Sequence, residues 1–136
     1  MDFKITELNN EQQEEIYDKI YELDNPKFFQ LEGQVNIGIT SGDGSLVAGL
    51  LSGCDDLRII SIYASWVDEA YNEQGLGKKL FDDLELQAKQ LGANTLQTHV
   101  YSQQYAEFYR KMGFTEIGNY THPIDGYTEW FFVKFI

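Results

Sequence analysis

Apolar and polar positions change their spacing repeatedly along the 136 residues, and each change predicts an element. Residues 3–8 alternate and predict a short strand. Asn9 or Asn10 can then cap a helix whose Ile16, Ile20 and Leu23 share one face, with Glu11, Glu14 and Glu15 near its positive start. Asp24-Asn25-Pro26 ends it, and Phe28, Phe29 and Leu31 follow on a short helical or irregular segment. Val35, Ile37 and Ile39 alternate as a strand, Ser41-Gly42-Asp43-Gly44 forms a hairpin turn, and Leu46 to Gly53 returns. After a second turn at Cys54-Asp55-Asp56, residues 57–67 are apolar on both faces, the pattern of a central strand covered on both sides. A long helix follows from Gly75 to Leu91, with Leu76, Leu80, Leu84, Ala88 and Leu91 on one face and Gly92 as its stop. Asn94 to Tyr101 is a strand, Ser102 caps a helix carrying Tyr105, Phe108, Tyr109 and Met112, and Gly113 ends it. Two last strands cover 114–120 and 127–135.

The order is β-α-β-β-β-α-β-α-β-β, with no repeat and no internal linker. This predicts an α/β or α+β fold, one sheet of about seven strands with helices on both faces. One domain spanning 1–136 is the expectation for this length.

Composition narrows the setting more than the fold. Hydrophobic residues make up 43 % and charged residues 24 %, as in an ordinary globular domain. No apolar run is long enough for a membrane helix, and the acidic N-terminal stretch lacks the blocks of a signal peptide. Cys54 is the sole cysteine, so no internal disulfide can form and a reducing cytoplasm is the expected compartment. The net charge of −12 argues against nucleic acid as a partner and suits a cationic small molecule or basic peptide. No His/Cys cluster has metal-ligand spacing, so no metal is expected.

Chemistry concentrates where the buried strand meets the long helix. Gly75 and Gly77 fall at a helix start, where backbone N–H groups are unpaired and the dipole is positive. Glycine there admits a phosphate close to the backbone, and Gln74, Lys78 and Lys79 can add donors. The loop is neither a dinucleotide fingerprint, which needs a third glycine, nor a P-loop, which is longer and ends in Lys-Ser/Thr.

The segment Val67-Asp68-Glu69-Ala70-Tyr71-Asn72-Glu73-Gln74-Gly75-Leu76-Gly77-Lys78-Lys79-Leu80 resembles the pyrophosphate loop of GNAT acetyltransferases. Phe108-Tyr109-Arg110-Lys111-Met112-Gly113-Phe114, which begins 31 residues after Gly77, is similar to the same family's Phe-Tyr-x-Lys-x-Gly-Phe helix end. The element order agrees over the whole chain, and Ser102 to Tyr109 is similar to small bacterial members. The resemblance implies a mixed, mostly antiparallel GNAT sheet and an N-acetyltransferase using acetyl-coenzyme A. It implies cofactor contacts from Trp66, Val67, Asn72, Gln74, Gly75, Leu76, Gly77, Lys78, Lys79, Ser102, Gln104, Phe108 and Tyr109. One departure matters. Asn72 stands where the family has Arg or Gln, and Glu73 follows it, so backbone N–H groups from Gln74 to Lys79 must carry most of the binding. Weaker cofactor affinity is expected. A homodimer through the last strand or the sheet edge also fits the resemblance.

Amine acetylation needs a neutral amine, donors for the developing oxyanion and a stabilised leaving thiolate. The resemblance assigns the oxyanion to the N–H of Val67 and the thiolate to Tyr109. Full proton transfer from a phenol to a thiolate is uphill by roughly 2 kcal/mol at ordinary values, so a hydrogen bond from Tyr109 is the expected role. The base stays open among Asp55, Asp56, Glu69 and His99, the last sharing a strand face with Tyr101. The acceptor pocket is expected between Tyr21–Leu31 and Thr121–Trp130, with Phe28, Phe29, His99, Tyr127 and Trp130 as candidate lining. A non-catalytic acyl-coenzyme A sensor is the alternative reading.

Overall fold

A computed structural model describes residues 2–24, 33–55, 57–71 and 74–136. Helix α1 (Asn10–Asp24) precedes strands β1 (Ile37–Thr40), β2 (Leu46–Asp55) and β3 (Ile59–Val67). A 3-10 turn (Glu69–Tyr71) leads to helix α2 (Leu76–Leu91), strand β4 (Thr95–Val100) and helix α3 (Gln103–Lys111). Strands β5 (Thr115–Thr121) and β6 (Thr128–Phe135) close the chain. The six strands form one sheet in the order β1-β2-β3-β4-β6-β5, antiparallel except for the β3–β4 pair.

The local signals act as their chemistry requires. Asn9 and Gln12 cap α1 reciprocally: Gln12 N–H donates to Asn9 Oδ1 at 2.8 Å and Asn9 N–H to Gln12 Oε1 at 3.0 Å. The β1–β2 turn closes with Ser41 N–H donating to Ser45 C=O at 2.9 Å, and Asp43 accepts from Ser45 N–H at 2.9 Å. These bonds, Ser41's hydroxyl first, hold the Asp43 carboxyl down at about 2. In α2, Leu80, Phe81, Leu84 and Ala88 are buried, and they join Ile60, Ile62, Leu96 and Phe132 from the sheet in one core. Phe81 also packs edge-on against Tyr109 of α3, ring centroids 5.6 Å apart, so α2 and α3 cover the same sheet face.

Four expectations change. Residues 3–8 form no strand and Phe3 and Ile5 are exposed, and among the described residues the sheet has six strands, close to the seven or so expected. Among the described residues the opposite sheet face carries no helix, because Ile16, Ile20 and Leu23 of α1 are exposed. β3 is central but covered on one side only, with Ile60 and Ile62 buried and Tyr63 and Ala64 exposed. Cys54, expected in a turn, lies in β2 and packs against the core.

Candidate active site

β3 and β4 pair only from Ile59–Thr95 to Ser61–Gln97 and then part. The cause lies on the other side of β3, where the register with β2 jumps from Ser52–Ile62 to Leu51–Ala64 and leaves Tyr63 as an extra, unpaired residue. Such a bulge bends its strand and increases local twist. Gly53 accommodates it, since a Cβ there would come 2.9 Å from the Tyr63 hydroxyl. Beyond the bulge, Asp68 N–H donates to Val47 C=O across β2 at 2.8 Å. N–H groups alternate sides along a strand, so that of Val67 is aimed away from β2, into the gap that β4 has left.

α2 begins at this gap. Gly75, its N-cap, is left-handed (φ +70°), and no side chain caps the helix. Gln74 N–H is taken by Tyr71 C=O and Lys79 N–H by Gly75 C=O. The N–H groups of Gly75, Leu76, Gly77 and Lys78 find no acceptor among the described residues. Within the expected anion cradle, Gln74 to Lys79, the N–H groups at the two ends are thus already engaged by backbone carbonyls. The Lys78 ammonium is engaged by Asp82 at 2.6 Å, one helical turn on. Gly77 faces Phe108, and Gly77, Phe108, Ser65, Trp66, Val67, Glu69, Gln104 and Tyr105 line one cleft. Ser102 is the N-cap residue of α3, though its side chain makes no capping bond.

Tyr109 lies buried behind the cleft wall, 1 % exposed, among the rings of Phe81, Phe108, Phe114 and Phe132 at 5.1–5.9 Å. Gly113 (φ +89°) turns the chain so that Phe114 N–H donates to Tyr109 C=O at 3.0 Å, which places the motif's two ends together. The Tyr109 hydroxyl shares a hydrogen bond with Ser65 Oγ at 2.8 Å, on the strand that flanks the gap. Burial pushes its phenol above the ordinary value, with the Ser65 and Thr98 hydroxyls pulling the other way.

The opposite sheet face carries a second groove of about 350 Å³ lined by Ser61, Tyr63, Gln97, His99, Ile117 and Phe131, among others. His99 and Tyr101 share this face, rings 5.8 Å apart, and Tyr127 packs on Tyr101 at 5.6 Å. Trp130 does not join them: its register partner is Val100, and it packs against the core on the helix-covered face. Glu129, at 7 % exposure, lies under the ring cluster; its carboxylate meets His99 Nδ1 at 2.7 Å and accepts from the Tyr120 hydroxyl at 2.6 Å. That bond, with burial, pushes the Tyr120 phenol up to about 12.

The structure thus brings together Tyr109, Val67, Gly77, Gln104 and Phe108, and separately His99 with Tyr127. Phe28, Phe29, Asp56, Asn72 and Glu73 lie outside the described residues, as does the Asp55 side chain. Glu69 sits at the cleft rim, in the 3-10 turn. Sequence reasoning missed Ser65 and Glu129. Glu129 carried a signal, as an acidic residue inside an otherwise aromatic strand, Thr128 to Phe135. Among the described residues no three His, Cys, Asp or Glu side chains converge as metal ligands, and no helix is long and apolar enough to cross a membrane.

The sheet is mixed and splits between two parallel strands, with an uncapped glycine-led helix at the split. Residues 32–116, well over half of the chain, match the family model of the acetyltransferase (GNAT) domain, and the chain belongs to that family. An acetyltransferase from Bacillus cereus shares the fold at TM-score 0.76 and 23 % identity, over 98 % of both chains. The ribosomal-protein-S18-alanine N-acetyltransferase of Escherichia coli follows at TM-score 0.64 and 25 % identity, over 79 % of this chain and 72 % of the other. A Bacillus anthracis protein assigned as a streptothricin acetyltransferase, solved with acetyl coenzyme A, aligns at TM-score 0.68 and 16 % identity, over 76 % and 62 %. A search of curated proteins finds no match.

Proposed function

We propose that this chain transfers an acetyl group from acetyl-coenzyme A to a primary amine of a small molecule or a protein, by direct attack on the thioester. The observation that carries the reading is the Tyr109 hydroxyl, buried and held by Ser65 beside the strand gap into which Val67 N–H is aimed. The site suits the co-substrate. The N–H groups of residues 75–78, which meet no acceptor among the described residues, suit a pyrophosphate at a positive helix start, and Gly77 leaves space that a Cβ would fill.

Acetyl-coenzyme A, when bound, supplies an activated acyl carbon and a thiolate leaving group. The N–H of Val67 donates to the acyl oxygen as negative charge develops there. Tyr109 donates a hydrogen bond to the sulfur as the C–S bond breaks. Because burial raises its phenol, outright proton transfer costs more than the roughly 2 kcal/mol of an ordinary tyrosine–thiol pair, so Tyr109 acts as a donor that keeps its proton. The free edges of the gap suit the amide groups of a pantetheine arm, which can pair with them as an added strand does. The same proposal takes the chain as one domain acting in a reducing cytoplasm.

Thiol release from acetyl-coenzyme A across a panel of amines tests this, with polyamines, aminoglycosides and basic peptides first because of the net charge of −12. Tyr109→Phe should lower turnover by about 10²-fold while leaving acetyl-coenzyme A binding nearly unchanged. Unchanged turnover in Tyr109→Phe would remove the role. Binding without thiol release across the whole panel would favour a non-catalytic acyl-coenzyme A sensor.

A further inference from the structure

We infer that His99, oriented by Glu129, takes the proton released by the attacking amine, which supplies the base that the sequence left open among several candidates. The inference rests on the acetyltransferase reading above. Its first support is the geometry of the pair. His99 Nδ1 lies 2.7 Å from Glu129 Oε1, and the second carboxylate oxygen accepts from the Tyr120 hydroxyl at 2.6 Å. Glu129 is buried, so both of its oxygens are satisfied within the fold and its direction is fixed. A carboxylate accepts only; it therefore selects the tautomer that carries the proton on Nδ1 and the lone pair on Nε2. Nε2 has no partner among the described residues.

The second support is the packing around the ring. The imidazole stacks on Phe131 at 6.0 Å and 24°, and Tyr120 stacks on that phenyl ring at 6.2 Å and 24°. Tyr101 meets the imidazole edge-on at 5.8 Å. Strands β5 and β6, with Tyr101 just beyond β4, thus surround the His99 site, while the His99 side chain itself remains 54 % exposed in the open groove. The titratable groups facing it are Tyr63 from β3, Tyr101 just beyond the end of β4, Tyr120 from β5 and Glu129 from β6. Among the described residues that line the groove there is no lysine or arginine to repel a cationic amine.

The third support is the position of His99 relative to Tyr109. Thr98, the preceding residue, points through the sheet to the helix-covered side, where its hydroxyl donates to Ile62 C=O at 3.1 Å and lies beside Tyr109. Neighbouring residues on a strand face opposite sides. One step along β4, at the point where β3 has already parted from it, therefore separates the thiolate donor from the imidazole. An amine on the His99 side of the gap would meet a coenzyme held on the α2 side. In the balanced step, the amine lone pair forms the C–N bond and the C–S bond breaks. The amine proton passes to Nε2 of His99, and the sulfur leaves as thiolate held by Tyr109. His99 then returns the proton to solvent or to the departing thiolate. Glu129 is a positioning residue that fixes the tautomer and direction of the ring.

The test is steady-state thiol release by the full chain, with the best amine of the panel, as a function of pH. His99→Asn keeps a donor for Glu129 but removes the base. It should lose about 10²-fold in kcat, retain its KM for acetyl-coenzyme A, and lose the acid limb of the pH–rate profile. His99→Ala should regain activity on addition of imidazole. Glu129→Gln should lose about 10-fold in kcat, with the acid limb displaced and thermal unfolding reported alongside to separate loss of fold from loss of orientation. A wild-type protein that turns over while His99→Asn keeps its rate and its acid limb overturns this inference alone. A wild-type protein that binds acetyl-coenzyme A but acetylates nothing overturns the transfer reading and this inference with it.

Discussion

A Cβ added at Gly77 would lie 2.7 Å from one carbon of the Phe108 ring and 3.0 Å from the next. The glycine leaves room for the aromatic ring that walls the cleft and, on the proposed reading, for the anion at the helix start. Gly77→Val should force Phe108 aside and weaken acetyl-coenzyme A binding by about 10-fold or more, equivalent to roughly 1.4 kcal/mol, as read by calorimetric titration. Gly77→Ala should fall between the two. The first role was legible in the sequence, because a glycine at a helix start has a local meaning. The second was not, because Phe108 comes from an element 31 residues away. Tyr109 shows the same division. Its motif was visible, while its partner Ser65 was one of several unremarkable residues on an apolar strand until α3 packed against that strand.

At the scale of elements, burial separates helices that look equally amphipathic on paper. Leu84 of α2 is fully buried, and Leu23 of α1 is 80 % exposed. Leu84→Ala should cost about 2–5 kcal/mol, by denaturant unfolding. Leu23→Ala should change stability by less than about 0.5 kcal/mol. The β1–β2 turn makes its own prediction. Its Asp43 carboxyl sits at about 2 in the fold against 3.8 ordinarily, so it binds fewer protons folded than unfolded as pH falls. A depressed carboxyl contributes stability above its unfolded value and loses it as pH drops through the folded one. Asp43→Asn should therefore unfold at lower temperature than wild type near pH 7, and the difference should shrink between pH 3.8 and about 2. The hairpin itself was plain from Ser41-Gly42-Asp43-Gly44, since turn chemistry is local. The bulge at Tyr63, which opens the active-site gap, was not. A bulge is a property of register between two strands, and register is set by both.

For the molecule as a whole, the net charge of −12 and an anionic co-substrate pull against each other. Long-range repulsion is screened by salt over a Debye length of about 10 Å at 0.1 M, while contacts at the helix start are local. Acetyl-coenzyme A binding should therefore hold or strengthen from low to physiological salt, and Asn72 and Glu73, where the family has a cationic or amide donor, should keep the dissociation constant above micromolar. A submicromolar value, or a loss of affinity with salt, would show that cationic side chains carry the site. The element order from α1 onward, the hairpin, the glycine-led helix and the paired aromatic motif were determined by the sequence itself, because periodicity, caps and turn residues act within a few positions of the chain. The tertiary structure decided what those elements face. It put α2 and α3 on one side of the sheet and left α1 exposed, and it sent Trp130 to the core and brought Glu129 beneath His99. These outcomes depend on which strand lies next to which and in what register, and a one-residue change of register reverses every side chain on a strand.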